Sequence, residues 1–182
     1  MLTSPTDIEL WNAAAGGSQQ ALGELFRRYY GLLFQYGNKI CSDTALLEDT
    51  IQELFAELWQ KGPNQSVQSV KAYLLQALKF KLYKYFRDQK RVQSVDETSN
   101  EPFELSHDHF IMSGEEDSER MKKLINALNQ LPARQKEIIY LKIYKGLSYE
   151  EVSEIMQINY QVVRNLLCQA LKSFRKLLLL FI

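Results

Sequence analysis

Residues 147–176, LSYEEVSEIMQINYQVVRNLLCQALKSFRK, predict two helices joined by a short turn. Ser148 and Glu151 have the spacing of a capping box, in which a hydroxyl and a carboxylate accept backbone N–H groups at a helix start. Hydrophobic residues recur at helical spacing behind this cap, the pattern breaks over 157–159, and Asn159 suits the N-cap of a second helix. The apolar face of that second helix comprises Val163, Leu167, Ala170, Leu171 and Phe174. A short helix, a tight turn and a longer helix form a helix-turn-helix, which places the start of its second helix in the DNA major groove.

The side of the second helix that faces away from its apolar residues carries polar and basic side chains. Such residue types can contact base edges and phosphates. The predicted DNA-binding residues are Tyr160, Gln161, Arg164, Asn165, Lys172 and Arg175. Two-helix corners are also common in helical proteins that do not bind DNA, so this segment alone leaves both interpretations open.

The composition predicts an all-α protein. The chain has 182 residues, 46% of them hydrophobic, with only 8 Gly and 4 Pro. This length suits one domain or two small ones.

Cys41 and Cys168 are far apart and form no C-x-x-C pair, which predicts unpaired thiols in a reducing cytosol. The chain lacks a signal-sequence pattern, and its terminal LLLLFI is too short to span a bilayer, so we expect a cytoplasmic protein without membrane insertion.

Sequence motifs for catalysis or cofactor binding are absent. There is no Gly-rich phosphate loop and no Ser-His-Asp or Cys-His arrangement. His107 and His109 flank Asp108 in an acidic stretch, a pattern too weak to predict a metal site. We therefore expect no enzyme activity, no cofactor and no metal.

The net charge of zero conceals blocks of opposite sign. Residues 1–70 contain 4 Lys/Arg against 8 Asp/Glu, and residues 71–91 contain 7 against 1. Residues 92–119 contain 0 against 9, and residues 120–182 contain 11 against 4. This pattern predicts two small helical domains at 1–91 and 119–182, joined by a flexible acidic linker at 92–118. The alternative, solvated helix faces with an acidic loop between them, stays open.

The first domain is predicted to contain a helix with an acidic face. After two helices capped at Thr6 or Asp7 and at Ser18, the segment beginning at Asp43 or Thr44 has hydrophobic residues on one side and carboxylates on the others. Phosphates repel such a face, so we expect it to contact a basic protein surface. The alternative is a solvated polar face.

The next helix interleaves basic and aromatic residues over 70–91. Cations that follow phosphates and rings that stack on bases suit single-stranded DNA. The predicted contact residues are Lys79, Phe80, Lys81, Tyr83, Lys84 and Arg87. For Tyr73, Tyr85 and Phe86 we favour core packing over base stacking.

These segments together resemble the extracytoplasmic-function group of sigma-70 family sigma factors. Residues 131–176 are similar to the region of those proteins that reads the minus-35 promoter element. The string EDTIQELFAELW, residues 48–59, resembles the helix that docks on the clamp coiled coil of the large catalytic RNA polymerase subunit. The resemblance assigns polymerase binding to Asp49, Gln52 and Glu53.

The basic-aromatic helix is similar to the one that recognises and melts the minus-10 element, although Phe80 stands where the family commonly has Asn. In the second helix of the helix-turn-helix, Val162 stands where the family often has Thr. Leu166 stands where the family often has a polar or basic residue. The resemblance implies a transcription initiation factor whose partners are core RNA polymerase, promoter DNA and an anti-sigma factor. The rival hypotheses are a helix-turn-helix regulator that acts without polymerase, and an N-terminal half that serves only as a protein-interaction bundle. The regulator hypothesis leaves both the acidic face and the basic-aromatic helix without a function.

Overall fold

The computed structural model describes residues 4–62, 67–93, 103–105 and 115–179, without the side chains of 90–93 and 115–121. In these ranges the regular structure is helical, and the chain divides into two compact units, residues 1–97 and 98–182. The prediction of an all-α protein with two helical domains is confirmed. His107 and His109, most of the predicted linker and the last three residues lie outside the described ranges.

Four helices form the first unit: α1 (Asp7–Ala15), α2 (Gln19–Gly37), α3 (Thr44–Lys61) and α4 (Val70–Gln93). Thr6, Ser18 and Asp43 are the N-caps of the first three helices, and each side chain accepts a backbone N–H of the first turn. Gly62, with φ of 69°, ends α3. Local capping chemistry therefore defines these helix starts, as the sequence predicts.

The core of the first unit lies between α2, α3 and α4, with α1 packed on α2. Trp11 on α1 is buried and meets the ring of Tyr73 on α4 edge-on, with centroids 5.0 Å apart. Gly37 lets α2 approach its neighbours closely, because a Cβ there would overlap the side chain of Leu47 and press on Leu78. The packing of these helices thus depends on a missing side chain at one position.

The second unit contains α5 (Glu115–Asn129), α6 (Ala133–Ile139), a π-helical turn (Tyr140–Tyr144), α7 (Tyr149–Met156) and α8 (Tyr160–Leu178). The sequence predicts one α-helix from Ala133 to Gly146. The structure corrects this, because the α-helix ends at Ile139 and Tyr140–Tyr144 form a π-helical turn. The Lys145 N–H donates to the carbonyl of Tyr140 at 2.9 Å, a bond across five residues. Gly146 then reverses the chain with φ of 65°.

The α7–α8 corner has the predicted capping box at Ser148 and Glu151 and the predicted N-cap at Asn159. Gln157 adopts left-handed geometry with φ of 52°, a conformation that usually favours glycine. The Ser153 hydroxyl donates to the carbonyl of Ile158 at 2.5 Å and so closes the turn from the side of α7. Side-chain and backbone bonds together give the three-residue turn of a helix-turn-helix.

Residues 103–105 correct the expectation of a linker that is flexible throughout 92–118. Phe103 and Leu105 are 1% and 3% exposed, and Phe103 packs edge-on against Tyr140, with centroids 5.7 Å apart. The Leu105 N–H donates to Asn129 Oδ1 at 3.0 Å, and Asn129 Nδ2 donates to the Leu105 carbonyl at 2.7 Å. This short segment belongs to the core of the second unit, and the flanking helices also extend into the predicted linker, α4 to Gln93 and α5 from Glu115.

Candidate nucleic-acid and protein-docking faces

The outer side of α3 presents the three predicted polymerase-binding residues together. Asp49, Gln52 and Glu53 are all exposed, while the opposite side of the helix buries Leu47, Ile51, Leu54, Phe55 and Leu58. Residues three and four apart share one side of a helix. The resulting docking face, defined as Asp49, Gln52 and Glu53, is negatively charged and directed outward.

An aromatic groove adjoins the docking face, and the sequence patterns did not predict it. Trp59 lies seven residues after Gln52, on the same side of α3, and is 47% exposed. With Phe26 and Phe55 it lines a groove of about 200 Å³ between α2 and α3. The rings of Phe26 and Phe55 meet edge-on at 5.1 Å. The seven-residue spacing from Gln52 to Trp59 was the available signal.

One side of α4 carries exposed aromatic and basic groups. Phe80 is 60% exposed, and Lys84 and Arg87 are exposed one and two turns further along. Tyr83 is half-buried, and the ammonium of Lys79 lies 5.5 Å from the centroid of its ring. Successive residues differ by about 100° around a helix, so these five side chains share one broad sector. They form the α4 face, defined as Lys79, Phe80, Tyr83, Lys84 and Arg87.

Two sequence interpretations on α4 are corrected by the structure. Lys81 does not join the α4 face: it turns towards α3, its side chain is only 17% exposed, and it pairs with Glu57 and Glu53. Tyr85, expected in the core, is 40% exposed, and its hydroxyl accepts a hydrogen bond from Gln89 Nε2 at 2.6 Å. Both differences depend on how α4 is rotated against α3, which periodicity alone does not specify.

All six predicted residues on α8 are exposed and lie on one side of the helix. This reading face is defined as Tyr160, Gln161, Arg164, Asn165, Lys172 and Arg175. Gln161 Nε2 donates to Asn165 Oδ1 at 3.3 Å, which orders two amide side chains near the helix start. The buried side is narrower than predicted, because Leu171 is 42% exposed. Cys168 is also exposed, amid the reading face, and was not predicted to belong to it.

A chain of contacts positions the start of α8. Lys142 in the π-helical turn donates to the Leu147 carbonyl at 2.7 Å, and its ammonium lies 4.4 Å from the ring centroid of Tyr149. The Tyr149 ring in turn contacts that of Tyr160, with centroids 5.5 Å apart. Cation–π and ring contacts of this kind each contribute about 0.5–1.5 kcal/mol. The π-helical turn thus orients α8 through the contacts of Lys142, Tyr149 and Tyr160.

Within the described ranges, no helix is long and apolar enough to cross a bilayer. The same residues include no group of three or more His, Cys, Asp or Glu side chains placed to bind a metal ion.

Two family models match the chain, one in each unit. Residues 25–92 match sigma-70 region 2, and residues 121–174 match sigma-70 region 4. The matched ranges together cover about two thirds of the chain and include α3, α4 and the helix-turn-helix. The chain belongs to the sigma-70 family of RNA polymerase sigma factors.

Known relatives place the chain within that family. RNA polymerase sigma factor SigV of Bacillus subtilis is 29% identical over 81% of this chain and 82% of that protein. ECF RNA polymerase sigma factor SigK of Mycobacterium tuberculosis is 27% identical over 97% of this chain and 95% of its own length. The chain is accordingly a member of the extracytoplasmic-function group.

Two solved structures share the fold. CnrH in complex with the cytosolic domain of CnrY is 20% identical, with a TM-score of 0.63 over 94% of this chain and 96% of that one. Sigma factor RpoE in complex with the anti-sigma factor NepR, from Bartonella quintana, is 21% identical, with a TM-score of 0.62 over 87% and 97%. At 20% and 21% identity, the likeness to these two structures shows a shared fold and no more.

Proposed function

We propose that this chain is an alternative sigma factor that binds core RNA polymerase, directs it to specific promoters and catalyses no reaction itself. The observation that carries the proposal is the pairing of opposite charges on neighbouring helices of one compact unit. The docking face on α3 is acidic, whereas the α4 face is basic and aromatic. A basic protein surface and a nucleic acid can therefore bind the same unit without competing for one site.

The docking face accounts for polymerase binding. Asp49 and Glu53 attract a basic partner surface, and Gln52 between them supplies hydrogen bonds. The neighbouring groove at Trp59 and Phe26 adds apolar area beside these charges. Large aromatic residues at the centre of an interface commonly contribute most of its binding free energy.

The α4 face accounts for recognition and melting of the minus-10 element. Lys84 and Arg87 follow phosphates, while the exposed Phe80 ring stacks on an unpaired base. Phe80 cannot form the hydrogen bonds of the Asn that is common at this position. The base that Phe80 contacts is therefore selected by stacking more than by hydrogen bonding. Because every base can stack on an aromatic ring, this selection tolerates different sequences.

The reading face accounts for binding the minus-35 duplex. Arg164 and Asn165 lie in the first two turns of α8. In this proposal they contact base edges in the major groove. Lys172 and Arg175 lie further along the same side and contact phosphates.

An anti-sigma factor is a further proposed partner. RpoE from Bartonella quintana, which has the same fold, was solved bound to the anti-sigma factor NepR. Covering the docking face, the groove beside it or the reading face would keep this chain from polymerase or promoter.

Transcription in vitro tests the proposal. Core polymerase supplied with the wild-type chain should start transcripts at specific promoters, and Asp49→Lys with Glu53→Lys should remove this activity and weaken core binding several-fold or more. Arg164→Ala serves as the control, because it should retain core binding while altering promoter choice. Specific initiation by the doubly reversed variant, with unchanged core affinity, would contradict the docking assignment.

Cys168 provides a second test that needs no substitution. Cys168 is exposed, whereas Cys41 is 3% exposed and burial raises the pKa of its thiol, so a thiol reagent should label Cys168 first. Promoter DNA in the holoenzyme should slow that labelling, since Cys168 lies between the base-facing and phosphate-facing residues. If Cys168 is labelled at the same rate with promoter DNA as without DNA, the reading face does not bind the promoter.

A further inference from the structure

Lys81 links the two charged faces of the first unit. Its ammonium lies 2.7 Å from Glu57 Oε1 and 3.3 Å from Glu53 Oε1, across the α3–α4 interface. The Lys81 side chain is 17% exposed, against 41% for Glu57 and 62% for Glu53. A cation of the DNA-facing helix is thus turned inward and paired with a residue of the docking face.

Lys81, Glu53 and Glu57 form a triad in which the contacts between Lys81 and Glu57 favour the charged form of both groups. Burial alone would lower the pKa of Lys81, but the hydrogen bonds to Glu57 and Glu53 and the charges of these two carboxylates together outweigh burial and raise it. The bond from Lys81 also lowers the pKa of Glu57. The triad therefore has one net negative charge where two carboxylates alone would have two.

The position of Lys81 on α4 separates it from the DNA-facing residues. Lys81 follows Phe80 by one residue and so points about 100° away from it around the helix. Lys84, four residues after Phe80, returns to the α4 face and is exposed. A phosphate bound along the α4 face would meet Lys84, whereas Lys81 is already engaged by two carboxylates.

We propose that Lys81 is a positioning residue of the docking face, which neutralises part of the charge of Glu53 and so limits the strength of polymerase binding. This inference rests on the proposed docking function of α3. Glu57 shares Lys81 with Glu53 and forms the shorter of the two bonds. Glu53 therefore has a longer, weaker contact with Lys81, and its carboxylate oxygens can still accept hydrogen bonds from a partner.

The proposal predicts opposite effects for two neutralising substitutions. Lys81→Met keeps the buried aliphatic stem but removes the cation, so Glu53 presents its full charge to a basic surface. Glu57→Gln leaves Lys81 with Glu53 as its remaining carboxylate partner, so the docking face becomes less negative. Because exposed ion pairs are weak, each substitution should change the affinity for core polymerase about two- to five-fold, upward for Lys81→Met and downward for Glu57→Gln.

Titration of core polymerase, combined with the salt dependence of holoenzyme binding to promoter DNA, tests the proposal. Lys81→Met should bind core more tightly with an unchanged salt slope, and Lys81→Arg should restore wild-type affinity. The matched control Lys84→Met removes a cation whose charge acts on Glu57 without a hydrogen bond, so it should change core affinity less than Lys81→Met does. It should also reduce the salt slope by about one, as expected for a lost phosphate contact. Thermal unfolding of each variant checks that the first unit remains folded.

Two outcomes would overturn the inference. If Lys81→Met lowers the salt slope of promoter binding as Lys84→Met does, and leaves core affinity unchanged, then Lys81 contacts DNA. If Lys81→Met and Glu57→Gln both weaken core binding, the triad serves only to stabilise the fold. Failure of the wild-type chain to bind core at all would instead refute the docking function itself.

Discussion

The packed segment 103–105 yields the sharpest structural prediction, because the sequence favours a flexible linker there. Truncating Phe103 to Ala removes a ring that is 1% exposed and packed against Tyr140. Removing a fully buried phenylalanine from a core costs about 3–5 kcal/mol. The segment is short and can detach when its anchor is lost, so we expect the lower end of that range, about 3 kcal/mol of the stability of the second unit.

Phe80→Ala is the matched control, because it makes the same chemical change at a side chain that is 60% exposed. Its cost should stay within about 0.5 kcal/mol, as for other surface positions. Denaturant unfolding, followed separately for the two units, measures both values. A two-domain chain need not unfold in one step, so a single midpoint for the whole protein would be inadequate.

Hydrogen exchange gives an independent reading of the same contact. The Leu105 amide donates to Asn129 Oδ1 and should exchange far more slowly than an unstructured peptide. Phe103→Ala should remove this protection, whereas Phe80→Ala should not. Unprotected exchange of Leu105 in the wild-type chain, or equal stability of the two variants, would refute the packing of this segment.

Three further predictions concern helix packing, DNA reading and a buried charge. Gly37→Ala should destabilise the first unit by about 1–3 kcal/mol through overpacking, whereas the unobstructed, exposed Gly31→Ala should stabilise it by up to about 1 kcal/mol; denaturant unfolding compares them. Arg164→Ala should reduce discrimination between minus-35 sequences by about 1–3 kcal/mol, whereas Lys172→Ala should weaken all sequences alike, as a promoter-library binding assay would show. Burial lowers the pKa of Lys136 below 10.5, so the folded state binds fewer protons there than the unfolded state and stability should rise as the pH approaches 10.5. Lys136→Met should lose that rise and be more stable at neutral pH; unfolding curves from pH 7 to 10.5 that run parallel for the two proteins would contradict this.

Local sequence patterns are enough to predict the helix starts, the helix-turn-helix and the polar side of α8. Thr6, Ser18, Asp43, Ser148 and Asn159 act as caps where their local patterns predict. Capping and helical periodicity involve residues within about four positions of each other, so a linear sequence contains the needed information. The sigma-family resemblance rests on these same local patterns.

Helix packing, by contrast, sets which side chains are available to bind. Lys81 and Lys84 are both lysines on one helix, yet Lys81 pairs with α3 and Lys84 is exposed. Phe103 and Tyr85 both depart from the expected burial, since the linker ring of Phe103 enters a core and the Tyr85 ring, expected in the core, is 40% exposed. These outcomes depend on the rotation and spacing of helices that are distant in sequence. Because that geometry results from the packing of the whole unit, local patterns could not specify it.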